Sequence, residues 1–202
     1  MPVANSCPRK YVCLSLPVIC AILSLACATP EPNSSNNSTP VLSGAPNTTY
    51  PMPPFKADAS GTEMGWTSLE GDRVKLADFY GKVLVLDFYA TWCAPCRKSI
   101  PHLNQLQHRI GPSQLQIVGL NVGGPDDRVK VADFARELEI NYQLGFPDKS
   151  VTDLFLSDNS SIPQTFVFDR NGQLVNRLIG YGSATPGQLE EAIQTALASE
   201  VK

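Results

Sequence analysis

The strongest constraint on the fold is the run Val83-Leu84-Val85-Leu86-Asp87-Phe88-Tyr89, followed three residues later by Cys93-Ala94-Pro95-Cys96. A nearly continuous apolar run of this length fits a central strand covered on both faces. From Pro95 to Ile110, Leu103, Leu106 and Ile110 recur at helical spacing, so one stripe of a helix packs inward. Pro101 inside that helix predicts a kink, because its ring crowds the preceding turn and it donates no hydrogen bond. The two cysteines therefore fall where a buried strand hands over to a helix N-terminus. Unpaired N–H groups and the helix dipole favour negative charge there, so the thiolate form of Cys93 is favoured. Cys96, one turn further in, is close enough to bond to Cys93 and more shielded. Pro95 presets φ for the helix start and removes an N–H that would be unpaired anyway. The pattern suits one attacking and one resolving thiol.

The surrounding segments read as alternating strands and helices. Glu70-Gly71-Asp72 is a turn between Trp66–Leu69 and Val74–Leu76, which predicts a β-hairpin. Leu115–Val122 is a second buried strand. Arg128–Leu138 is a helix with Val131, Phe134, Ala135 and Leu138 facing in. A short strand at Tyr142–Phe146 and a short helix at Val151–Phe155 follow. Thr165–Phe168 and Leu174–Ile179 pair across the turn Asp169-Arg170-Asn171-Gly172. Gln188–Leu197 closes as an amphipathic helix. The order βαβα then ββα predicts an α/β fold with a mixed sheet flanked by helices on both sides.

The first 54 residues read differently. Arg9 and Lys10 precede the apolar stretch Tyr11–Ala26, which is short for a bilayer span of about 20 residues. A basic start, a short apolar core and small residues after it fit an export signal over residues 1–27. Ala26-Cys27-Ala28 offers a small-x-small cleavage site. Ser24-Leu25-Ala26-Cys27 resembles a lipobox, with Ser24 where Leu is usual, and would make Cys27 a lipidated first residue. Soluble export and an uncleaved anchor stay open beside it. Residues 28–54 hold seven Pro, four Ser, four Thr and four Asn, with Glu31 the only charge. Such a segment has no apolar face to bury and is expected to act as an extended linker. Its Asn-x-Ser/Thr triplets at Asn33, Asn36, Asn37 and Asn47 are expected from composition alone. The folded domain is expected over residues 55–202.

The chain has six cysteines, which in an exported protein could signal a disulfide scaffold. Cys7, Cys13 and Cys20 lie in or before the export signal, and Cys27 is either lipidated or removed. The mature domain keeps only Cys93 and Cys96, in an oxidising compartment. A net charge of -3, from 16 Lys and Arg against 19 Asp and Glu, gives no electrostatic case for nucleic acid. A mean hydropathy of -0.09 excludes a polytopic membrane protein.

Two further residues attract attention. Ile162-Pro163 precedes the strand Thr165–Phe168, and from position alone Pro163 is equally an ordinary strand-entry proline or a functional one. Asp87 is a carboxylate in an apolar strand, six residues before Cys93. Burial should raise its pKa and suit it to take the Cys96 proton, unless it is simply a structural acid.

The run from Asp87 through Trp92 to Cys96 resembles the active-site strand of thioredoxins. From Phe55 onward the chain resembles the extracytoplasmic TlpA/ResA-like branch of the thioredoxin superfamily. The hairpin, Gly81-Lys82, Leu120-Asn121-Val122, Pro101, Ile162-Pro163-Gln164-Thr165-Phe166 and Asp169-Arg170-Asn171-Gly172 carry that likeness. The resemblance implies a thioredoxin-like fold and a thiol:disulfide oxidoreductase with Cys93 as nucleophile and Cys96 as resolving thiol. It implies a cis proline at Pro163, and a client surface formed by Trp92, Pro95, Ile162 and Pro163. It also implies protein thiol or disulfide clients such as apocytochrome c, a thiol-type membrane electron donor, a reducing role and a monomer. No organic cofactor is implied, because the electrons reside in the cysteine pair. Many members carry Glu three residues after the second cysteine, where this chain has Ser99, and Asn where it has Asp87. The expectation is a swap, with the proton-handling acid moved from helix to strand.

Other chemistries fit less well. Zinc would need Cys93, Cys96, His102 and His108, at spacings unlike a structural site; both histidines are expected as solvated helix positions. Copper delivery would want CxxxC and a distal His. A peroxiredoxin would need Pro and Thr just before its reactive cysteine, and no Pro precedes Cys93. An oxidase of exported proteins shares the motif and differs only in direction of electron flow.

Overall fold

The computed structural model describes residues 64–201. The expected export signal, Cys27, the linker and the start of the domain lie outside the described residues. No helix among the described residues is long and apolar enough to cross a membrane.

The predicted α/β arrangement is observed. Seven strands form one mixed sheet: β1 (Gly65–Ser68), β2 (Arg73–Lys75), β3 (Val83–Tyr89), β4 (Leu115–Asn121), β5 (Gln143–Pro147), β6 (Gln164–Phe168) and β7 (Leu174–Ile179), in spatial order β2-β1-β5-β4-β3-β6-β7. β3 runs parallel to β4 and antiparallel to β6, and all seven of its residues are buried. Its unbroken apolar run is what a strand covered on both faces requires.

Alternation along β3 sorts the core into two layers. Leu84, Leu86 and Phe88 pack with Trp66, Phe79, Phe155, Phe166 and Phe168 on one side. Val83 and Val85 pack on the other, against Leu103 and Leu106 of helix α1 (Ala94–Ile110) and Ile193 of helix α5 (Thr185–Leu197). Tyr89, further along that face, joins Cys93, Cys96, Ile100 and Phe134.

The hairpin depends on Gly65. A Cβ there would stand 2.0 Å from the Val74 carbonyl oxygen, which backbone pairing holds in place. Gly65→Ala should cost about 1–3 kcal/mol, with amide exchange accelerated at Arg73–Lys75 more than at Val83–Tyr89. Equal acceleration in both strands would contradict this local effect.

Three elements differ from the sequence reading. The helix expected over Arg128–Leu138 is the shorter α3 (Val131–Glu137), and a separate turn of helix, α2 (Pro125–Arg128), precedes it. Asp127 is drawn inward from α2 to bind the active-site loop, so the two segments do not share one apolar stripe. α5 begins at Thr185, three residues early, because Pro186 lies in its first turn, where proline is tolerated. α4 (Lys149–Leu156) likewise extends beyond Val151–Phe155. Pro101 lies within α1 without ending it; it is on the exposed side, away from the packed stripe.

Candidate active site

The strand β3 ends at Tyr89, and the next residues turn sharply: the Cys93 N–H bonds to the Ala90 carbonyl at 3.2 Å. Cys93 is the N-cap of α1, with extended backbone and a sulfur that accepts the Cys96 N–H at 3.2 Å. The first turn of a helix leaves N–H groups without intrahelical partners, and here one is aimed at sulfur. Cys93 and Cys96 are joined in a disulfide with a Cα–Cα distance of 5.3 Å. Cys96 is fully buried and Cys93 is 4% exposed, while Trp92 is 66% exposed. Ala94 and Pro95 are exposed beside it. An incoming group therefore meets the Cys93 side of the bond, framed by Trp92 and Pro95.

Asp87 lies on the same face of β3 as Val85 and Tyr89. Val85 packs on Leu103 and Leu106, and Tyr89 on Cys96 and Ile100. This puts Asp87 between them, under the first half of α1. It is 1% exposed. Burial pushes its carboxyl up to about 7, although Thr165 Oγ1 donates to Oδ1 at 2.7 Å and pulls the other way. Tyr89 and Tyr142 share this buried zone. Burial first, and then the Asp87 charge, raises both phenols above their ordinary range.

The Ile162–Pro163 peptide is cis. Ile162 packs against the cluster holding Cys93 and Cys96, and the Pro163 carbonyl accepts the Gly180 N–H at 2.8 Å. Ser99 is buried and its hydroxyl donates to the Cys96 carbonyl at 2.9 Å. It thus caps backbone and brings no charge to the pair. His108 is exposed as expected. His102 is not the solvated position anticipated: its side chain is 13% exposed and Nε2 lies 3.1 Å from Glu190 on α5. Its partner stands on α5, which the periodicity of its own helix does not reveal. Among the described residues, no three His, Cys, Asp or Glu side chains are placed to hold a metal ion.

Two supporting networks are not foreseen by the sequence pattern. Asp127 is 2% exposed and accepts hydrogen bonds from Thr91 N at 2.9 Å, Asn121 Nδ2 at 2.8 Å and the Thr91 hydroxyl. Burial alone would push its carboxyl up, but the bonds from Asn121 and Thr91, with the Lys130 charge, hold it below its ordinary range. Its one signal is its place as the second of two acids after Gly123-Gly124-Pro125, shortly beyond the end of a buried strand. On the other side, Arg177 donates to Gln164 Oε1 at 2.9 and 2.6 Å and to Asp158 at 2.8 and 3.0 Å. Gln164 in turn donates to the Asn159 and Ser161 carbonyls at 2.6 and 2.8 Å. This network fixes the loop that delivers Ile162–Pro163. Nothing in a lone Arg on an edge strand announces it.

A family model, described as AhpC/TSA family, matches residues 49–177. The thiol-disulfide oxidoreductase ResA of Bacillus anthracis is 33% identical over 127 residues, covering 61% of this chain and 69% of that protein. A crystal structure from Chlorobium tepidum, assigned as the thiol:disulfide interchange protein DsbE, superposes with a TM-score of 0.60 at 30% identity, covering 68% of this chain and 95% of that one. A second from the same organism, a thiol:disulfide interchange protein of the thioredoxin family, gives 0.57 at 25% identity, covering 70% and 100%.

Proposed function

Because the chain belongs to the AhpC/TSA family and is a thiol-disulfide oxidoreductase of the ResA/DsbE type, we propose that it works as an exported, membrane-tethered reductant of protein disulfides. The observation that carries this reading is the Cys93–Cys96 disulfide at the N-terminus of α1, with Cys96 sealed and Cys93 only slightly exposed beside the exposed Trp92.

In the reduced protein the Cys93 thiolate attacks one sulfur of a client disulfide. The client S–S bond breaks, one client thiolate leaves and takes up a proton, and a mixed disulfide forms. Cys96 passes its proton to the Asp87 carboxylate and attacks the Cys93 sulfur. The second client sulfur leaves, and the Cys93–Cys96 bond closes. Two electrons have moved to the client, and a thiol-type membrane donor must return two. Trp92 and Pro95 present the client-facing surface, and Ile162–Pro163 receives a client segment as an added strand. Oxidised apocytochrome c is the client class favoured by the family resemblance. The export signal read in residues 1–27 and the lipobox-like Cys27 support a tethered, extracytoplasmic domain.

A peroxidase reading is weakened by Thr91, whose hydroxyl is committed to Asp127 and is not offered to a peroxide at Cys93.

The test is covalent trapping. Reduced Cys96→Ser, mixed with a disulfide-bonded peptide, should accumulate a mixed disulfide that mass spectrometry locates at Cys93. No adduct, or an adduct elsewhere, would overturn the assignment of roles. Hydrogen peroxide should be consumed no faster than by a free dithiol.

A further inference from the structure

Thr91, two residues before Cys93, is gripped by a buried carboxylate from a different part of the chain. Asp127 Oδ2 accepts both the Thr91 N–H and the Asn121 amide, and Oδ1 accepts the Thr91 hydroxyl. Three donors on one side chain, almost wholly out of water, are the surroundings of a carboxylate kept ionised. Gly123 allows this placement, since a Cβ there would stand 2.2 Å from Asp127 Oδ2.

The charge is linked to the backbone of the reactive cysteine. The Thr91 nitrogen it touches belongs to the peptide group whose carbonyl, from Ala90, accepts the Cys93 N–H. One peptide group and two hydrogen bonds thus separate the carboxylate from the Cys93 nitrogen. That path runs through buried protein, where salt screens little.

We propose that Asp127 is a positioning residue that holds the Thr91–Cys93 turn and sets a fixed negative charge behind the Cys93 backbone, driving the pair toward its disulfide form. The helix N-terminus favours the Cys93 thiolate; Asp127 opposes it. A less favoured thiolate makes the reduced protein less stable relative to the disulfide, and so a stronger reductant. The sign of this effect does not depend on the proposed direction of electron flow, but its usefulness rests on the reductant reading. Ser99, which only caps a carbonyl, leaves the tuning to this acid.

The informative variant is Asp127→Asn. Its amide oxygen can accept both N–H groups that Oδ2 accepts, and its NH₂ can donate to the Thr91 hydroxyl, so the grip survives and only the charge is lost. Equilibration with glutathione at pH 9 should favour the reduced form of Asp127→Asn threefold to tenfold more than wild type; tenfold corresponds to about 30 mV. The difference should shrink as pH falls and the Cys93 thiolate is lost from both proteins. Lys130 on the same loop, Tyr89 and Asp87 on β3, and Arg97 on α1 (paired with Glu137) are common to both proteins. Thr91→Val removes one grip and keeps the charge; it should lower the melting temperature and leave the pH 9 equilibrium within twofold of wild type. If Asp127→Asn stays within twofold of wild type at pH 9, or if Thr91→Val shifts the equilibrium as much, the proposal fails. Failure of the reductant reading would show instead as a high potential in the wild type itself.

Discussion

Asp87→Asn is expected to make the oxidised protein more stable by about 3–4 kcal/mol at pH 9, and to change its stability little at pH 4. The reason is the environment of a single carboxyl. In the unfolded chain Asp87 titrates at its ordinary 3.8, and in the fold burial raises this to about 7. Between those values the folded protein holds a proton that the unfolded chain has released. Unfolding therefore becomes easier as pH rises through this window, and above pH 7 the native state carries the full cost of a buried charge. Asparagine has no charge to bury, and its amide oxygen can still accept the Thr165 hydroxyl, which donates to Asp87 at 2.7 Å. Urea unfolding at both pH values measures the difference. A gain of equal size at pH 4 and pH 9 would trace the effect to packing and not to ionisation.

The same substitution should be costly in catalysis. With no acceptor beneath α1, deprotonation of Cys96 loses its base, and resolution of the mixed disulfide should slow about 10²-fold at pH 7. The slowing should shrink as pH rises and Cys96 ionises unaided. A protein gaining stability while losing turnover is the behaviour expected where a destabilising buried group serves function. Unchanged resolution over pH 6–9 would remove Asp87 from the mechanism and leave it a structural acid.

Cys93→Ser is expected to abolish insulin reduction, with turnover at the uncatalysed background. A hydroxyl is neither a sufficient nucleophile nor able to form the mixed disulfide, and Cys96 cannot substitute because it is fully buried. Cys96→Ser should differ in kind. It leaves Cys93 able to attack once, giving a stoichiometric burst of mixed disulfide and then no turnover. Steady turnover by Cys93→Ser would mean that Cys96 is the first nucleophile and that its burial does not keep clients from it.

Much of this architecture is legible in the order of the residues alone. The seven-residue run of β3 has one position for each buried strand residue, so its bounds at Val83 and Tyr89 are reproduced without error. The β6–β7 hairpin is similarly clear, because Asn171-Gly172 demands a tight turn. The cysteine pair is legible since its chemistry depends on local order, strand then helix. Asp87 is legible because a charge in an apolar run is conspicuous. Periodicity is less useful where tertiary contacts overrule it. The α2–α3 break depends on Asp127 reaching Thr91, 36 residues away. The Arg177 network spans β7, Gln164 and the loop before Pro163, and no short window of sequence contains it. His102 reads as solvated because its own helix says nothing of α5, whose Glu190 pairs with it.

Whether the Cys93–Cys96 pair is a reductant is decided by a redox titration of the wild-type protein against glutathione at pH 7. Potentials in this fold run from about -270 mV to about -120 mV. A sealed resolving thiol and a fixed carboxylate linked through Thr91 to the Cys93 backbone predict a value in the lower part of that range, below about -220 mV. A value above about -180 mV would overturn the reductant reading and make the protein an oxidant of its clients.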